Sequence, residues 1–209
     1  IVNKAGRVIH DERLNDPKFN IVYVGISNEY ERPTLLHMRK RSEFESANYW
    51  YIHTKGLRHF GKPTEKSVLN WIDIMLYWNI NKWKEVTHIL KTWDTYGCMM
   101  CSVSPQLNHY SGNFWWATSE HVATLPEKID RHYIAPENWI GEKKSVKAFC
   151  SWNHNFADNY YINIPESHYK KEIIANSVRD YSKLVYNTPL GTSIVKSLPN
   201  FDVSRGLVD

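Results

Sequence analysis

The chain has 209 residues, 42% hydrophobic and 23% charged, the proportions of a globular protein with one substantial domain and a sizeable core. Its formal net charge of +4 is too small and too scattered to make a nucleic-acid surface, although it suits a phosphorylated ligand. Three cysteines (Cys98, Cys101, Cys150) exclude a complete disulfide framework, and no Asn-x-Ser/Thr sequon, signal peptide or membrane-length apolar run occurs.

A cytoplasmic protein without a membrane span is therefore expected, and the opening at Ile1 rather than Met reads as a piece of a longer polypeptide. Nine Trp and 13 Tyr favour an aromatic-lined cleft or a very aromatic core.

Phe19 to Ile26 (FNIVYVGI) reads as a buried strand, stopped by Ser27-Asn28. Pro33 to Phe44 reads as a helix with proline at an early position. Tyr49 to Ile52 is a second strand that runs into His53-Thr54-Lys55-Gly56. Thr64 is the expected N-cap of a long amphipathic stretch in which Val68, Ile72, Met75, Leu76, Trp83 and Leu90 recur near helical spacing. Asn79-Ile80-Asn81 is expected to break that stretch in two. Tyr96 to Val103 and Phe114 to Ala117 are further strands, with Thr118 capping a short helix that ends at Pro126. A last helix is expected from about Ser167 to Tyr186. Strands alternating with helices predict an α/β sheet with ligands at the carboxyl ends of its strands. The expected organisation is one domain over 1–188, with a tail or linker over 189–209.

The run His109-Tyr110-Ser111-Gly112-Asn113-Phe114-Trp115-Trp116 carries the most chemistry. A small-residue step lets a ligand or backbone approach, the aromatics make a rigid wall, and His, Ser and Asn supply directional hydrogen bonds. Sugars suit such a site. In His53-Thr54-Lys55-Gly56, Lys55 would neutralise a phosphate, and His53 would bind metal or a phosphate oxygen. On residue types alone the same run is a turn with a solvated lysine. Asp73, one helical turn after Asn70, reads as a metal or sugar ligand, or as an exposed helix aspartate. Asp94 reads as a turn or cap residue. Cys98-Met99-Met100-Cys101 reads as core strand, because a zinc site wants four ligands and no second CxxC exists. Glu137 beside Trp139 reads as an acceptor-hydroxyl site or a surface turn.

The order of these pieces resembles a family of GT-A-fold nucleotide-sugar glycosyltransferases found in polysaccharide gene clusters and large DNA viruses. The matching residues are His53-Thr54-Lys55-Gly56, the helix centred on Trp71, Asp94-Thr95-Tyr96-Gly97, the run His109 to Trp116, and Glu137-Asn138-Trp139-Ile140-Gly141. The likeness covers roughly Phe19 to Tyr169, with Ser111 to Trp116 its most specific part. Within the family the chain looks closest to members that glycosylate the capsid protein of chlorella viruses.

The resemblance implies a GT-A-like (Rossmann-like) mixed β-sheet flanked by helices and a hexosyltransferase with a UDP-sugar donor and a glycan or glycoprotein acceptor. It also implies Mn²⁺ or Mg²⁺ at the diphosphate and, by analogy, a retaining course. The family's usual strand-end Asp-x-Asp is replaced here by His53-Thr54-Lys55. The assignments that follow are Asp73 and Glu137 as catalytic, and Asp73 and His53 as metal ligands. His53, Thr54, Lys55, Gly56, Ser111, Gly112, Asn113, Trp115 and Trp139 would hold the ligands, with Trp116 completing the wall. A non-catalytic carbohydrate-binding module would use the same aromatic content.

Overall fold

The computed structural model describes residues 2–3, 11–104, 107–143, 146–153, 159–170, 201–202 and 207–208. Two short strands open the chain, β1 (Val2–Asn3) and β2 (Gly25–Ile26), which pair in parallel. They are followed by α1 (Arg32–Ser42) and β3 (Asn48–Tyr51). Next come α2 (Glu65–Leu76), a π-helical turn (Tyr77–Asn81) and α3 (Trp83–Ile89). The strands β4 (Thr95–Gly97), β5 (Met100–Ser104), β6 (Leu107–Tyr110) and β7 (Trp115–Thr118) then alternate with tight turns. The remaining elements are α4 (Ser119–Val122), α5 (Ala135–Asn138), β8 (Ala148–Cys150), α6 (Glu166–Tyr169), β9 (Phe201–Asp202) and β10 (Leu207–Val208).

The fold is mixed α/β. Its centre is a four-stranded sheet of order β3-β7-β4-β8, in which β7 is antiparallel to both β3 and β4 while β4 and β8 are parallel. Alternation along the strands sends side chains to two faces. Tyr51 stacks on Trp115 at 4.9 Å, in the cluster that holds Leu35 and Met38 of α1 and Val122 of α4. On the opposite face Trp116 and Tyr96 pack with Val86 and Ile89 of α3 and with Phe149. The pairings Tyr51–Trp115, Gly97–Trp115 and Gly97–Cys150 bring the carboxyl ends of β3, β4 and β8 together at one edge of the sheet.

Helix α2 closes that edge. Its apolar stripe (Val68, Trp71, Met75) has helical spacing and is buried. The amphipathic stretch does break near Asn79, through a π-turn rather than a simple stop. The turn frees carbonyls, and each finds a donor: the Tyr96 hydroxyl to Trp78 O at 3.1 Å and Trp116 Nε1 to Asn79 O at 2.9 Å.

Several expected elements differ. Within Phe19 to Ile26 only Gly25–Ile26 is strand, and Phe19 and Val22 are 58% and 51% exposed. A β-prone run stays out of a sheet when no layer covers it. The strand expected over Tyr96 to Val103 is split, because Met99 takes a left-handed φ of 53° and turns the chain from β4 into the separate β5–β6 hairpin. Thr64 precedes α2 without capping it; its hydroxyl bonds His59 Nδ1 at 2.7 Å instead. Thr118 does cap α4, which ends at Val122 before the turn to Pro126. Of the helix expected over Ser167 to Tyr186, only α6 and Lys170 fall among the described residues. No helix among them is long and apolar enough to cross a membrane.

Candidate functional site

The loops leaving the shared sheet edge bring together three parts of the sequence. The chain after β3 carries His53 and Lys55. The turn between β6 and β7 carries Ser111, Gly112 and Asn113. Helix α5, packed on β6, carries Glu137.

His53 is fixed at both ring nitrogens. Nδ1 meets a carboxylate oxygen of Glu31 at 3.0 Å, and Nε2 meets Gly112 O at 3.1 Å. The other Glu31 oxygen accepts from Asn113 Nδ2 at 2.7 Å, and Asn113 Oδ1 accepts from Trp115 Nε1 at 2.8 Å. A single network thus runs from the residue before α1 to the sheet floor. Burial raises the Glu31 carboxyl above the usual range, opposed by His53 and the Asn113 bond. Backbone strain gathers around it: Tyr30, the preceding residue, and Asn113, its partner, both have left-handed φ, 52° and 59°. Glu31 carries no motif in the sequence, and its only local signal is its place just before Arg32-Pro33 at a helix start.

Gly112 is required where it stands. Its φ is +90°, and a Cβ there would overlap the Met75 sulfur and crowd Trp71.

The Lys55 ammonium lies 4.2 Å from the centroid of the Trp71 ring, a cation–π contact, and no carboxylate within salt-bridge distance is seen among the described residues. Burial pulls its pKa down, opposed by the charges of Glu137 and Glu31. Glu137 stands on α5, which packs on β6, and its charge also bears on Glu31, His109 and Tyr51. No hydrogen bond to that carboxylate is seen among the described residues. The Tyr51 hydroxyl, buried under His53, also has no hydrogen-bond partner among the described residues. Burial pushes it far above the usual phenol range. Such an orphan beside a polar site is what a bound water or ligand hydroxyl satisfies.

His53, Lys55, Gly112, Asn113 and Glu137 are therefore brought together. Ser111 adjoins them, its Oγ accepting from Asn159 Nδ2 at 3.4 Å. Thr54 is exposed, and Gly56 takes φ +76° against Val68 at the start of the next turn. Trp115 and Trp139 are both 0% exposed, with Trp139 Nε1 bound to Pro126 O at 3.0 Å, so both support the site from within the core. Trp116, next to Trp115 in the strand, points to the other face of the sheet. Asp94 ties β4 to the strand beside it, accepting from Lys147 N at 2.9 Å.

Asp73 stands apart. It is exposed, two residues beyond Trp71 and so on another side of α2. There it lines an open groove of about 560 Å³ with Lys62, Lys66, Asn70 and Asn163. His53 and Asp73 do not fit a shared divalent ion: both His53 nitrogens are engaged, and no cluster of three or more His, Cys, Asp or Glu placed to hold a metal is found among the described residues. The three cysteines are free; burial pushes the Cys98 and Cys150 thiols up.

Compared with known proteins, the chain matches no family model, no curated protein and no solved structure.

Proposed function

We propose that this chain is a GT-A-like glycosyltransferase that moves a hexose from a UDP-sugar to a hydroxyl of a glycan or glycoprotein. The observation that carries the reading is Lys55, a partly desolvated ammonium held 4.2 Å from the centre of the Trp71 ring, with the charge of Glu137 acting on it. A nucleoside diphosphate leaving group gains negative charge as the bond from the anomeric carbon to its oxygen breaks, and a preoriented cation stabilises that charge. The acceptor oxygen forms the new bond to the anomeric carbon, and Glu137 takes its proton. Half-buried Ser111 would hold a sugar hydroxyl, while Asn113, fully buried with both amide ends engaged, supports the turn from beneath. His53 and Asp73 have no role as metal ligands in this reading.

Calorimetric titration with UDP and a panel of UDP-sugars, with and without Mn²⁺, tests it. Binding should be indifferent to Mn²⁺ and should weaken about 10-fold to 100-fold in Lys55→Ala. Absence of UDP binding would sink the reading. Glu137→Gln separates two stereochemical courses. Loss of about 100-fold or more in turnover marks Glu137 as the base of an inverting displacement. Unchanged turnover marks the retaining course, in which the departing phosphate takes the proton. The exposed aromatics Tyr133 and Tyr161 favour a second reading, a carbohydrate-binding module, which would bind free glycan and no nucleotide.

A further inference from the structure

Tyr30 and Tyr133 form a T-shaped pair, with centroids 5.7 Å apart and planes at 88°, yet they remain 48% and 58% exposed. Packing alone does not explain them. Tyr30 sits at φ 52°, where a bulky side chain is disfavoured. The pair is also clamped. The Arg32 guanidinium lies 6.0 Å from the Tyr30 centroid and donates to the carbonyls of Asp130 and His132, both at 2.9 Å, so α1 holds the loop that carries Tyr133.

The pair is joined to the site by position in the chain. Tyr30 directly precedes Glu31, and Tyr133 lies four residues before Glu137. Elsewhere at the site, exposed Arg58 donates to the Tyr160 hydroxyl at 3.4 Å. Tyr160 meets Trp71 edge-on at 5.5 Å, and Trp71 carries Lys55. Arg58, Tyr160 and Trp71 thus lead from solvent to the Lys55 ammonium.

We propose that Tyr30 and Tyr133 form the acceptor subsite, in which a pyranose ring of the acceptor glycan lies with its C–H face on one tyrosine ring and meets the edge of the other. This rests on the transferase reading. The base stands beside the hydroxyl whose proton it takes, so the acceptor lies against the segment that carries Glu137. The rigid, exposed tyrosines offer contact area at low cost in side-chain entropy.

Saturation-transfer NMR with methyl glycosides of glucose, galactose, mannose, xylose, fucose and rhamnose tests this, beside calorimetry with UDP. At least one glycoside should bind the unaltered protein through its ring protons. Tyr133→Ala should weaken that binding about tenfold while Tyr133→Phe retains it, and UDP affinity should change far less in both. Glycoside binding that survives Tyr133→Ala, or no glycoside binding by the unaltered protein, overturns the proposal. Parallel loss of UDP and glycoside in Tyr133→Ala also overturns it, since the tyrosines would then hold the nucleobase. Tyrosine-dependent glycoside binding with no UDP binding sustains the platform and overturns the transferase reading.

Discussion

One proton is shared between Glu31 and His53, whichever of them carries it. Gly112 O can only accept, so His53 Nε2 must donate, and the 3.0 Å contact at Nδ1 then needs a hydrogen on nitrogen or on oxygen. Glu31→Gln preserves this geometry with a neutral ring: the new amide donates to Nδ1 and its oxygen still accepts from Asn113. Glu31→Ala leaves both groups buried without partners. We expect Glu31→Gln to melt close to the unaltered protein and Glu31→Ala to lose about 2 kcal/mol, measured by chemical denaturation. Equal loss in both would show that the charge of Glu31, rather than its hydrogen bonds, holds the loop.

At the scale of elements, the site depends on the turn between β6 and β7. Gly112→Ala meets two obstacles, a left-handed φ and overlap with Met75 and Trp71. Gly61 offers the control, because its φ is +71° but nothing lies within 4 Å of an added Cβ. Urea unfolding should give about 1 kcal/mol for Gly61→Ala from conformation alone, and about 2 kcal/mol or more in addition for Gly112→Ala from overpacking. Similar losses would mean that α2 yields freely at Met75. Much of this architecture was legible in the sequence. An early proline marked α1, helical periodicity marked α2, aromatic runs marked β3 and β7, and the Ser-Gly step marked a place of close approach. Glu31 was not legible, since a carboxylate before a helix looks like any surface acid until the fold brings Asn113 and His53 to it. The separation of Trp115 from Trp116 follows from strand alternation, but only once the run is known to be strand. Asp73 read as a ligand by type, and helix phase decides that it points away from Lys55.

At the scale of the whole molecule, buried ionisable groups set opposing trends with pH. Burial lowers the pKa of both His109 and His121 from the ordinary 6.5. The unfolded chain therefore binds protons below about 6.5 that the folded chain resists, and stability declines as pH falls toward the folded-state pKa values. Glu31 acts the other way. Its folded pKa is raised above 4.5, so its contribution is present below 4.5 and is lost as pH rises through the folded value. Between pH ~7.5 and ~5.5 the two histidines cross the unfolded value of 6.5, each able to contribute up to about 1.4 kcal/mol per pH unit crossed. We therefore expect the melting temperature to fall across this interval. His121→Gln keeps a donor for Ile140 O, which now accepts from His121 Nε2 at 2.8 Å, and should flatten the decline. Thermal melts of the two proteins at the two pH values decide the matter: an unchanged slope in His121→Gln would mean that the histidines outside the core govern the acid response.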